Sequence, residues 1–237
     1  SFTTALPAQA QPPSLSSAAP ASSGSTEVAT SGFQQATKVP GEDAKDGTRL
    51  VLTAGGLLTQ GNSRTVAATA SGDFRLRRNV SQVSALAAVN YGRSAPSNDE
   101  PYATTVENYQ GKVRYDYFFA SGVAGFLSVS ARRDRFQGLD LRLNIDPGVA
   151  YYFIDEKAQQ LWVELGYDLQ HDVRRDEFVE EAALDPDIAD IEKSETSHSV
   201  RAFVGYNYAL NETLAFNAGV EYLQSVQEGK DARINGD

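Results

Sequence analysis

The chain has 237 residues, a formal net charge of −10, no cysteine and no methionine, and 41% of its residues are hydrophobic. The acidic balance argues against a nucleic-acid partner, because phosphate binding needs a clustered basic surface and the sequence has none. The lack of cysteine excludes disulfide frameworks, thiol nucleophiles and cysteine-ligated zinc. No apolar run reaches about eighteen residues, the length that a transmembrane helix requires.

The N-terminal region differs in composition from the rest of the chain. It is rich in Ser, Ala, Pro, Thr and Gln and has few large apolar side chains that a core could bury. Such a composition predicts a disordered low-complexity tail over residues 1–47. Within it, Ala8-Gln9-Ala10 resembles the cleavage site of a secretory signal, and an Ala/Pro-rich linker is the alternative. Residues 48–237 form the predicted folded unit.

Alternation of apolar and polar residues marks this folded unit. Between Tyr109 and Phe119 one parity carries Tyr, Gly, Val and Phe, and the other carries Gln, Lys, Arg and Asp. A period of two predicts a β-strand with one apolar face. The stretch from Leu139 to Phe153 repeats the pattern. Pro147 interrupts that stretch without changing its parity, which predicts a local irregularity.

The same pattern predicts nine strands and the start of a tenth. In chain order they are expected at residues 48–60, 65–77, 82–92, 109–119, 123–132, 139–153, 160–172, 198–209 and 214–224, with another opening at Ala232. Many are close to about ten residues, the length of a tilted membrane strand, whereas ordinary strands average about five or six. The connections alternate between tight turns, as at Asn79, and longer loops, as at residues 173–197.

Aromatic residues mark both ends of these strands. Those near the tight turns are Tyr115, Tyr117, Phe119, Tyr151, Phe153, Tyr206 and Tyr208, and those near the longer loops are Tyr91, Tyr109, Tyr167 and Tyr222. Two aromatic belts are typical of the two interfaces of a membrane, and short turns face the periplasm in outer-membrane barrels. The sequence therefore predicts an all-β, antiparallel up-and-down transmembrane β-barrel in the bacterial outer membrane, with a periplasmic N-terminal tail.

Three segments carry a family resemblance. Residues 57–64 read LLTQGNSR, residues 112–116 read KVRYD, and residues 132–140 read RRDRFQGLD. From about Leu50 to Tyr222 the chain resembles bacterial domain-of-unknown-function family 481, labelled salt-induced outer membrane proteins. The resemblance implies a barrel of about ten to twelve strands whose last strands are missing here, and a parent that uses the outer-membrane assembly machinery. It transfers no catalytic residue and no cofactor.

In a barrel, the polar parity of each strand points into the lumen. Its predicted lumen-lining residues are Arg75, Arg77, Lys112, Arg114, Asp116, Arg132, Asp140, Arg142, Glu164, Asp168, Arg201 and Glu221. Such charges form either a selectivity surface for ions and small polar solutes or a salt-bridge network that fills a narrow barrel. The first alternative predicts a small pore, and the second predicts a non-conducting structural or surface-interaction barrel.

A hydrolase at the barrel rim is a third hypothesis. His171 and His198 end and begin consecutive strands close to Asp172, Glu195 and Ser197, and a histidine base with an acidic partner could activate serine or water. Both histidines, however, share the parity of the lipid-facing residues, and no nucleophile motif accompanies them. We therefore expect no enzymatic activity.

The loop at residues 173–197 is dense in carboxylates. Their spacing matches no calcium-loop signature, which favours a solvated acidic loop over a site for divalent cations that bridge lipopolysaccharide. We expect no metal and no cofactor. The expected partners are membrane lipids, including lipopolysaccharide, and the oligomeric state stays open.

Overall fold

The computed structural model describes residues 46–97, 99–156, 158–184, 191–210, 214–227 and 231–236. Residues 1–45 of the predicted tail, including the cleavage site near Ala10, lie outside this part of the chain. The first strand begins at Asp46, two residues before the predicted start of the folded unit.

The described chain is almost entirely β-structure. Its ten strands are β1 (Asp46–Thr59), β2 (Arg64–Arg78), β3 (Ser81–Ala95), β4 (Ala103–Ala120), β5 (Val123–Asp134), β6 (Leu139–Asp155), β7 (Gln159–Arg174), β8 (Ser194–Ala209), β9 (Ala215–Ser225) and β10 (Ala232–Gly236). They form one sheet in which spatial order equals chain order, and neighbouring strands are antiparallel. The predicted all-β, up-and-down order is confirmed. The sheet is open, with β1 and β10 at its two edges.

The connections differ between the two ends of the sheet. At one end, two-residue turns join β2 to β3 and β4 to β5, and they place Asn79 at φ 51° and Gly122 at φ 76°. Asn and Gly tolerate such left-handed conformations better than other residues do. At the other end, a 3₁₀ turn (Arg135–Gln137) joins β5 to β6, and helix α1 (Asp176–Ala182) lies between β7 and β8. We call these the tight-turn end and the loop end.

Helices contribute little to the described structure. None of the helices in the described ranges is long and apolar enough to cross a membrane.

Burial is inverted between the two faces of the sheet. On the polar face Asp116 and Glu164 are 0% exposed, whereas Leu165 on the apolar face is 58% exposed. Leu141 and Val204 are exposed as well. The sheet therefore curves so that its polar side chains are enclosed and its apolar side chains point outward. We call the two sides the enclosed face and the apolar face.

The strand β6 keeps its parity through Pro147. This residue lies opposite Leu127 of β5, and the register to β7 is the same before it, at Ile145, and after it, at Gly148. Because the register holds, the side chains of β6 on both sides of the proline stay on the faces that alternation predicts.

Candidate functional site

The enclosed face carries most of the predicted lumen residues. Arg114, Asp116, Glu164, Asp168, Arg201 and Glu221 are buried there, and Arg75, Arg77, Lys112, Arg132 and Arg142 are half-buried. Alternation along each strand brings them to one side, and the curvature of the sheet brings distant strands together.

A chain of ion pairs crosses this face from β4 to β9. Arg114 forms ion pairs with Asp116 and with Glu164, each at 2.9 Å. Arg201 forms ion pairs with the same Glu164 at 2.8 Å and with Glu221 at 2.5 Å. We call these five residues the central network. Since all five are buried, each charge depends on its partners to offset the loss of water.

A second polar cluster lies nearer the loop end. Arg142 donates two hydrogen bonds to Asp172, at 2.8 and 2.6 Å, which is the bidentate geometry of a strong guanidinium–carboxylate pair. Gln170 also donates to Asp172, at 3.1 Å, and Asn144 donates to Asp168 at 2.8 Å. The cluster links β6 to β7 through side chains as well as backbone.

Two cavities that share lining residues such as Gln170 and Leu223 lie on the enclosed face. A cavity of about 250 Å³ is lined by side chains from β4 to β10, including Lys112, Asp146 and Arg201. A larger one of about 720 Å³ lies toward the loop end, with Ser199 in its wall, and both include Arg233. Their linings of charged, hydroxyl and amide groups suit water, small ions and polar solutes.

An aromatic cluster fills the enclosed face toward the tight-turn end. Phe126, Tyr152, Trp162 and Phe203 are buried together, and Phe118 packs against them. The ring of Trp162 lies 6.3 Å from that of Tyr152 and 6.0 Å from that of Phe203. Sequence reasoning missed this cluster. Alternation could have revealed it: Trp162 lies two residues before Glu164 on β7, so both side chains lie on the enclosed face.

Glycines make room for these rings. A Cβ at Gly205 would overlap the six-membered ring of Trp162, and one at Gly148 would overlap the ring of Phe126. The tight-turn half of the enclosed face is thus closely packed, whereas the loop half contains cavities.

Asp140 differs from the prediction. Its side chain is 41% exposed and pairs with Arg133 and Arg175 at the rim, while the neighbouring Leu139 is buried. The cause is a register shift between Leu139 and the residues that follow it, which reverses the parity at the start of β6. Just beyond β7, a hydrogen bond to Glu177 raises the pKa of Arg175 above its ordinary value.

The two histidines face away from the proposed catalytic partners. The Nδ1 atom of His171 lies 2.8 Å from the hydroxyl of Thr196, and that of His198 lies 2.6 Å from the hydroxyl of Tyr167. Asp172, by contrast, is buried on the enclosed face. Among the described residues, the two histidines thus form hydrogen bonds to Thr196 and Tyr167, whereas the predicted partners were Asp172, Glu195 and Ser197.

The predicted interface aromatics lie on the apolar face. Those with exposed side chains are Tyr91, Tyr109, Tyr115, Tyr117, Phe119, Tyr151, Phe153, Tyr167, Tyr208 and Tyr222. Tyr206 is half-buried, and its hydroxyl accepts a hydrogen bond of 2.9 Å from Gln159.

The acidic loop is only partly described. Asp185, Asp187 and Asp190 lie outside the described residues. Within the described ranges, no three His, Asp or Glu side chains are grouped so that they could hold a metal ion.

Comparison with known proteins gives one family. No curated protein and no solved structure matches the chain. The model of the family described as "Protein of unknown function, DUF481" matches residues 52–237, which include nearly all of the described sheet. The chain belongs to this family.

Proposed function

We propose that this chain is part of an outer-membrane β-barrel, with the enclosed face as the interior and the apolar face against lipid. The observation that carries the proposal is the inverted burial: Glu164 is 0% exposed while Leu165, its neighbour on the same strand, is 58% exposed. Water-soluble proteins bury apolar side chains and leave charges outside. In a barrel surrounded by lipid hydrocarbon, apolar side chains face outward and charged side chains face the interior.

The dimensions of the apolar face support this proposal. On β4 the outward residues run from Tyr109 to Phe119 without a charge, and on β6 they run from Leu141 to Phe153 without a charge. A segment of the length seen on β4, at about 3.3 Å per residue and tilted by about 40°, spans about 25 Å. That height equals the apolar band of outer-membrane barrels.

For the interior we propose a narrow passage for ions or small polar solutes. The two cavities support it, because they share lining residues and are lined by charged, hydroxyl and amide groups. The inward side chains of β1 and β2 are also small at mid-strand, where Thr53 lies opposite Ser71 and Gly55 opposite Thr69. Because these residues are small, they leave open space in the interior beside the aromatic cluster.

A non-conducting barrel is the second candidate. The aromatic cluster around Trp162 fills the enclosed face near the tight-turn end, and the central network crosses that face from β4 to β9. A small barrel filled by side chains carries no solute. In that case the loop end, which includes helix α1, is the surface that would contact lipid or a partner.

Location is tested with the full-length protein in a Gram-negative host. We expect it in the outer-membrane fraction after detergent separation of the two membranes, with slower electrophoretic migration after boiling. A protease added to whole cells should cleave near α1 and leave β1 uncut. Recovery in the soluble periplasmic fraction would contradict the proposal.

Conductance of the full-length protein in planar lipid bilayers separates the two candidates. Discrete current steps support the passage. For a passage beside the aromatic cluster, Trp162→Ala should enlarge the steps, and Leu184→Ala, a change in the loop region, should leave them unchanged. If neither the original protein nor Trp162→Ala gives current steps although folded protein is present in the bilayer, the non-conducting barrel is supported.

A further inference from the structure

Two guanidinium groups lie over one tyrosine ring at the loop end. The Cζ atoms of Arg64 and Arg93 are 4.7 and 4.8 Å from the ring centroid of Tyr102. Arg64 also donates a hydrogen bond of 2.7 Å to the backbone oxygen of Glu100. Arg64 begins β2, Arg93 lies near the end of β3, and Tyr102 belongs to the connection that follows β3. We call these three side chains the arginine clamp.

The clamp lies at the border of the apolar face. Arg93 comes two residues after the exposed Tyr91, so the two share a face of β3, and it lies opposite Val66 of β2. Arg64 shares the face of Val66 for the same reason. The clamp therefore lies on the lipid-facing side, immediately beyond the aromatic residue that ends the apolar face on β3.

The charges of the clamp are not neutralised within the described part of the chain. Other arginines at this end have carboxylate partners: Arg133 pairs with Asp140, and Arg135 pairs with Glu107. Neither Arg64 nor Arg93 has a carboxylate at ion-pair distance among the described residues. Stacking on Tyr102 holds both side chains in place through cation–π attraction and leaves guanidinium hydrogens free for an acceptor.

We infer that the arginine clamp binds the phosphate of a lipid headgroup in the outer leaflet. Guanidinium groups match phosphate oxygens in pairs, and two of them side by side suit a doubly charged group. Lipid is the source of that phosphate because the clamp adjoins a surface suited to acyl chains. The inference rests on the proposed outer-membrane location and adds a ligand class to it.

The test uses the full-length protein folded in detergent micelles and three probes. These are lipid A with its phosphates, lipid A with its phosphates removed, and inorganic phosphate. We expect phosphorylated lipid A to bind at least tenfold more tightly than the dephosphorylated lipid. The double variant Arg64→Gln/Arg93→Gln should lose that preference. The matched control is Arg78→Gln, an exposed arginine at the other end of β2, which should keep it.

Three outcomes overturn the inference. They are equal binding of the two lipids by the original protein, an unchanged preference in the double variant, and displacement of lipid A by an equal concentration of inorganic phosphate. Heat-dependent migration and the β-sheet circular dichroism signal must match among the variants, so that loss of binding is not loss of fold. Failure of the outer-membrane proposal is separate, since it is detected by fractionation of cells and does not involve the clamp.

Discussion

Arg114 on β4 and Glu164 on β7 form an ion pair of 2.9 Å across the enclosed face, although two strands lie between them in the sheet. Three strand spacings of about 4.8 Å separate the two backbones along the sheet. The side chains meet directly because the sheet bends around them. This ion pair is therefore direct evidence of the curvature that encloses the polar side chains.

The first prediction concerns Glu164. Glu164→Gln keeps the size of the side chain but removes the charge that Arg114 and Arg201 share. Because all three are buried, we expect a loss of about 3–5 kcal/mol in the free energy of unfolding. Urea unfolding of the protein folded into lipid vesicles, followed by tryptophan fluorescence, measures this loss.

The matched control for that change is Asp176→Asn. Asp176 also pairs with a cation, Lys193, but both side chains are largely exposed on the connection between β7 and β8. Exposed pairs contribute little to stability, so the unfolding midpoint should hardly move. Equal effects of the two substitutions would show that the central network is not shielded from water.

Alternation predicted the face of the charges in the central network but not their partners. Arg114, Glu164 and Arg201 follow from the parity of their strands, which depends only on local backbone geometry. Their mutual contacts depend on how far the whole sheet bends. No local pattern encodes the amount of bending, so the ion pair between Arg114 of β4 and Glu164 of β7 could not be predicted from the sequence.

Irregular strand pairing also placed one predicted side chain on a different face. The parity rule placed Asp140 with the lumen residues, yet a register shift at the start of β6 buries Leu139 and turns Asp140 to the rim. Such a shift depends on how the 3₁₀ turn joins β5 to β6. The parity around Pro147 was predictable because the strand continues through it with unchanged register.

The second prediction tests what surrounds the apolar face. Leu165 is 58% exposed at mid-strand, and Leu184, just after α1, is 84% exposed. In lipid, Leu165→Arg should lower the free energy of unfolding by about 2–4 kcal/mol, since it places a charge in hydrocarbon. Leu184→Arg should change it little. If both substitutions are neutral, water surrounds Leu165 and the membrane assignment fails.

The third prediction concerns the packing of Trp162 against Gly205. Gly205→Ala should cost about 1–3 kcal/mol, because the added methyl overlaps the indole ring. Gly111→Ala is the control, since its Cβ would meet its nearest neighbour at an ordinary 3.7 Å.

A double-mutant cycle makes this third test specific to the contact. Combined with Trp162→Leu, Gly205→Ala should cost less than it does alone, because the smaller side chain leaves room for the methyl. Additive losses, measured by urea unfolding with circular dichroism, would mean that the two residues do not contact each other.

The fourth prediction separates the rim from the enclosed face by ionic strength. At the rim, Arg174 pairs with Glu195 at 2.6 Å and donates to the backbone oxygen of Glu192 at 2.7 Å. Charges in contact with water are screened over about 10 Å at 0.1 M salt and about 3 Å at 1 M, whereas buried pairs are screened much less. Raising NaCl over that range should speed amide hydrogen exchange in α1 several-fold. Exchange in the middle of β7, around Glu164, should stay constant, and Arg174→Gln should abolish most of the salt effect in α1. A parallel rise in both segments would show instead that salt loosens the whole sheet.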